Sequence, residues 1–70
     1  MKEYKLPLML KELLKENEMK QIDLANKLNA NPKSIYEWIH EITCPSISSL
    51  MCIADIFDVS LDYLVYGEPK

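Results

Sequence analysis

The stretch that decides the fold is Gln21-Ile22-Asp23-Leu24-Ala25-Asn26-Lys27-Leu28, then Asn29-Ala30-Asn31, then Pro32-Lys33-Ser34-Ile35-Tyr36-Glu37-Trp38-Ile39-His40. Leu24, Ala25 and Leu28 recur at helical spacing, so residues 21–28 form a short amphipathic helix. Asn29 follows, and Asn tolerates the left-handed backbone that closes many helices. Asn31 is a good N-cap, and Pro32 suits a first helical position. A second helix therefore runs over 32–40, with Ile35, Trp38 and Ile39 apolar. Ala25 is small, which lets the second helix cross close by. Ala30 and Ile35 point inward and lock the angle.

Working outward, Leu6, Leu10, Leu13, Leu14 and Asn17 predict a helix over 7–17. Lys11, Glu12, Lys15 and Glu16 occupy its other side, and Pro7 is acceptable in the first turn. Downstream, Pro45 biases Cys44 away from helix, so Ile42-Thr43-Cys44-Pro45 is a loop. Ser46 caps a fourth helix carrying Ile47, Leu50, Met51, Ile53, Ala54 and Phe57. Asp58 stands where a C-terminal Gly often sits. Val59 and the N-cap Ser60 lead into a fifth helix over 61–66, ended by Gly67, and Glu68-Pro69-Lys70 is a tail.

No strand pattern, repeat or low-complexity segment interrupts this order. The expected fold is all-α: a compact bundle of five short helices. The expected core is Leu10, Leu13, Leu24, Ala25, Leu28, Ile35, Trp38, Ile47, Leu50, Ile53, Ala54, Phe57, Val59 and Leu64. The Met and Leu residues of the first and fourth helices belong to it, and Cys52 is a small core hydrophobe.

Composition narrows the function. Seventy residues make a single domain over 1–70, with its core within about 6–67. A hydrophobic fraction of 49% with 27% charged residues is a globular balance. No apolar run approaches the roughly 20 residues of a membrane span, and the start lacks a signal-peptide core. Two Cys, at 44 and 52, make no disulfide framework. The expectation is a soluble cytoplasmic protein with reduced thiols.

His40 and Cys44 are spaced i, i+4, with Cys52 beyond. Pro45 breaks the helix there and no fourth ligand has suitable spacing, so no metal is expected. A Cys/His nucleophile lacks an orienting group. The chain is read as no enzyme, with no cofactor, no membrane partner and no small-molecule substrate.

Net charge is −3, and all eight cations are Lys. Residues 1–18 and 19–45 are each neutral, so the −3 lies wholly in residues 46–70. Binding to a polyanion would therefore be modest and salt-sensitive.

Two short helices joined by a three-residue turn match a helix-turn-helix, whose second helix can enter a DNA major groove. The chain resembles the Cro and phage-repressor (XRE-type) helix-turn-helix family over about residues 6–67. Leu10, Leu13, Met19, Gln21, Leu24-Ala25, Leu28, Ile35, Trp38, Pro45-Ser46-Ile47, Leu50, Ala54 and Val59-Ser60-Leu61-Asp62-Tyr63-Leu64 carry the resemblance.

The resemblance implies a lambda-repressor-like domain that binds double-stranded operator DNA as a homodimer and regulates transcription. It places Gln21 on a phosphate or base edge, and Asn31, Pro32, Lys33, Tyr36 and Glu37 on the groove-facing side. Lys33 would donate to guanine or phosphate, and Tyr36 would pack on a thymine methyl or donate its hydroxyl. Glu37 would accept from cytosine N4, although Glu37 and Glu41 read better as solvated charges. His40 and Thr43 fall where backbone contacts usually lie.

Several positions depart from the family pattern. A partly buried Arg–Glu pair is replaced by Leu14 and Ile39, which are expected to touch. The Gly after the third helix is Glu41, and the basic residues beyond it are Ile42, Thr43 and Cys44. Ile42, Val65 and Tyr66 are apolar without a core role, which marks them as a dimer surface. The alternative is a protein-interaction or dimerisation module, antirepressor-like, on the same scaffold with weak or no DNA binding.

Overall fold

The computed structural model describes residues 3–67. The expected tail at 68–70 lies outside them. Five helices follow in order: α1 Leu6–Glu16, α2 Gln21–Leu28, α3 Pro32–Ile39, α4 Ile47–Phe57 and α5 Leu61–Tyr66. No strand occurs among the described residues. The fold is the all-α bundle with a helix-turn-helix that the pattern implies. α1 lies one residue earlier than expected, and α3 stops at Ile39 with His40 as its cap.

Side chains set the helix starts. Asn31, Ser46 and Ser60 each accept a hydrogen bond from a backbone N–H in the first turn of α3, α4 and α5. At α2 the Asp23 carboxylate accepts from the Lys20 N–H at 2.9 Å.

The helix ends repeat one device with unusual residues. Glu18, Asn29, Glu41 and Asp58 all sit at φ between 53° and 60°, and Gly67 sits at 77°. At each of the first four, the next residue donates back to the carbonyl five positions earlier: Met19 to Leu14, Ala30 to Ala25, Ile42 to Glu37, Val59 to Ala54. A left-handed non-glycine residue costs about 1–2 kcal/mol. Three carboxylate side chains bear that cost here, two of them Glu.

α3 packs on both α1 and α2, α4 on α2, and α5 on α1 and α4. The fully enclosed side chains are Leu6, Leu10, Leu24, Ile35, Ile53 and Leu64. Leu28, Leu50, Phe57 and Val59 are partly buried against this cluster. Among the described residues no polar or charged residue is buried. Leu14 and Ile39, expected as apolar neighbours, both lie within the cluster.

Four core expectations need correction. Ile47 is 73% exposed and Met51 57% exposed. Cys52 is exposed, and so is Leu8. α4 is apolar nearly all round, but its neighbours cover the side through Leu50, Ile53, Ala54, Ile56 and Phe57. Met51 and Cys52 turn away from that side. Ile47 lies on its line, yet in the first turn its side chain leans past the end of the covered surface. Leu8 is on the side of α1 opposite Leu6, Leu10 and Leu13. Met9, also expected in the core, is buried.

The segment before α1 ties two parts of the molecule together. The Lys5 N–H donates to the Val65 carbonyl of α5 at 2.7 Å. Tyr4 stands by Cys44 and Glu41 in the α3–α4 turn. Burial, then the Cys44 side chain and the Glu41 charge, push its hydroxyl up to about 12.

Candidate nucleic-acid interface

α3 has two chemically distinct sides. Ile35, Trp38 and Ile39 are buried against α1 and α2. Lys33, Tyr36, Glu37 and His40 are spaced i, i+3, i+4, i+7, which puts them on one outward face. Lys33, Tyr36 and His40 are exposed and Glu37 is half-buried. The inner side fixes the helix in place, so the outer side is presented as a rigid strip.

The start of this strip is set by Asn31, whose Oδ1 accepts from the Lys33 N–H at 2.9 Å. Pro32 occupies the first turn, where a missing N–H breaks no helical bond. Both are exposed. Gln21 stands on a different element, half-buried at the head of α2. Thr43 is exposed in the turn after α3. The structure thus gathers Asn31, Lys33, Tyr36, Glu37 and His40 on α3 and its cap, and leaves Gln21 and Thr43 on flanking segments.

Reading the sequence missed one feature of the strip. The rings of Tyr36 and His40 stack with centroids 4.1 Å apart and planes 34° apart. Their i, i+4 spacing was the available signal.

A model of the helix-turn-helix family matches residues 10–64. The chain belongs to the helix-turn-helix family. It is also similar to the crystal structure of a transcriptional regulator from Listeria innocua, with a TM-score of 0.86 at 28% identity. That similarity covers 97% of this chain and 63% of the Listeria chain, so this chain spans less than two thirds of that regulator's length. None of the curated proteins matches.

Within this helix-turn-helix domain, α2 and α3 are the paired helices and Asn29-Ala30-Asn31 the turn between them. Ala25 of α2 is fully buried, as a close approach of α3 requires. Glu41 holds the left-handed position after α3 that favours glycine, with φ 60°. Ile42 beside it is 61% exposed. Val65 and Tyr66 are half-buried on α5, away from the α3–α4 turn in sequence. Among the described residues no three His, Cys, Asp or Glu side chains gather into a metal-holding group. None of the described helices is long and apolar enough to cross a membrane.

Proposed function

We propose that this chain is a DNA-binding transcriptional regulator that lays α3 in the major groove of operator DNA and acts as a homodimer. The observation that carries the reading is the division of α3 into a buried apolar side and an exposed strip of Lys33, Tyr36 and His40. A major groove accepts one α-helix, and such a strip offers a cation and aromatic groups to base edges. In this reading Lys33 donates to guanine or phosphate. Tyr36 packs on a thymine methyl, and Gln21, Asn31, Pro32, Glu37, His40 and Thr43 flank the contact. Two subunits share the work, with α3 helices about 34 Å apart. Ile42, Val65 and Tyr66 supply apolar surface for pairing. The chemistry is binding alone, with no enzymatic step, consistent with a cytoplasmic regulator.

Titrating random-sequence duplex at low and at physiological salt tests the reading. Binding at low salt that weakens steeply as salt rises supports it. A folded protein that binds no duplex at low salt refutes it. Sedimentation at high micromolar concentration tests the dimer, and a dimer is expected.

A second reading is a protein-interaction module. It is favoured by the charge of residues 34–67, which contain Glu37, Glu41, Asp55, Asp58 and Asp62 but no Lys or Arg. The exposed Ile42 adds an apolar anchor to that surface.

A further inference from the structure

His40 and Tyr36 stand one turn apart on the outer face of α3, with ring centroids at 4.1 Å. The backbone holds both ends of this pair. The His40 N–H donates to the Tyr36 carbonyl at 3.0 Å, so the last turn is still closed. Glu41 then reverses the chain at φ 60°, and the Ile42 N–H donates to the Glu37 carbonyl at 2.9 Å. His40 therefore cannot drift from the end of the helix without opening two hydrogen bonds. Helical side chains lean back over the preceding turn, which brings the imidazole onto the phenol ring. Tyr36 is still 49% exposed, so the stack leaves ring surface free for another contact.

We infer that His40 is a positioning residue that stacks on Tyr36 and presets the phenol ring as a base-reading surface. The inference rests on the DNA-binding reading above and adds to it a source of sequence preference. An exposed Tyr ring otherwise samples several rotamers, and ordering it costs affinity on binding. A ring already stacked loses less freedom. It also meets the duplex in one orientation, so a neighbouring methyl or base edge is read at one position. His40 acts through Tyr36 in this account and not through phosphate.

The experiment uses the full chain with His40→Ala and His40→Phe. Binding is measured on the best duplex selected from a random pool, on the unselected pool, and as a function of salt. His40→Ala is expected to weaken the selected site by about three- to tenfold, the scale of one freed side chain. Affinity for the unselected pool and the salt slope should stay as in the wild type. His40→Phe keeps a ring at the same place and should restore the preference. The ring-proton resonances of Tyr36, recorded without DNA, should lose their ring-current displacement in His40→Ala and keep one of the same sign, enlarged by the phenyl ring, in His40→Phe.

Loss in both His40 variants on every duplex, selected or unselected alike, would assign His40 to a phosphate contact and overturn the inference. Unchanged selectivity in His40→Ala would overturn it as well. Wild-type protein that binds no duplex, while the Tyr36 resonances still report the stack, would place the failure in the DNA reading and remove the inference with it.

Discussion

α3 and α4 are built alike at their ends and differ on their outer surfaces. Each starts on a side-chain cap, Asn31 or Ser46, and each is followed by a carboxylate residue in the left-handed region, Glu41 or Asp58. α3 turns a polar and aromatic strip outward. α4 turns Ile47, Met51, Cys52 and Asp55 outward. The shared ends show that local chain chemistry sets where a helix starts and stops. The different surfaces show that neighbours decide what a helix buries. α3 lies between α1 and α2, and its hydrophobic residues match the covered side. α4 has more hydrophobic residues than its neighbours can cover.

The largest expected effect lies on the inner side of α3. Trp38→Ala removes a nearly enclosed indole, and such truncations cost about 3–5 kcal/mol. Stabilities of small domains are about 5–15 kcal/mol in total, so urea unfolding should show a large loss or no folded baseline. A loss below about 1 kcal/mol would mean that Trp38 is not part of the core.

Lys33→Ala tests the outer side. If Lys33 reads guanine, affinity should fall by about 1–3 kcal/mol, confined to duplexes with that base. If it neutralises phosphate, binding should weaken on all duplexes and the salt slope should fall by about one unit. Unchanged affinity on every duplex would remove Lys33 from the interface. Thermal unfolding should not change, since Lys33 is exposed.

The helix ends give an intermediate effect of opposite sign. Glu41→Gly relieves a left-handed residue at φ 60°, and a net gain of about 0.5–1 kcal/mol is expected after the entropy of the added glycine is subtracted. For a domain of this size that is roughly 2–8 °C in Tm. A lower Tm would show that the Glu41 side chain contributes more than its backbone costs.

The smallest effect is expected on the outer side of α4. Ile47→Ala and Met51→Ala remove side chains that are 73% and 57% exposed, and each should change stability by less than about 0.5 kcal/mol. A loss of 2 kcal/mol at either would show that a second surface covers this face in solution.

These cases also show how far the sequence could be read. Capping residues act within three or four positions, so Asn31, Ser46, Ser60, Asn29 and Asp58 were legible one by one. The outer strip of α3 was legible because Ile35, Trp38 and Ile39 point to the opposite side of one short helix. Ile47, Met51 and Cys52 were not, because their exposure depends on how far α2 and α5 extend over α4. Leu8 differs: its place opposite Leu6, Leu10 and Leu13 is visible in the spacing alone. The Tyr36–His40 stack needed ring orientations, which spacing permits but does not fix.

The central claim is that the α3 strip, and not the α4–α5 surface, meets DNA. Amide and side-chain chemical shifts of the full chain, followed while duplex DNA is added at low salt, test it directly. The account predicts the largest changes at Asn31, Lys33, Tyr36, Glu37 and His40, smaller ones at Gln21 and Thr43, and little change at Met51, Asp55 and Leu61. Changes centred on Met51, Asp55 and Leu61, or none at any duplex concentration, would contradict it.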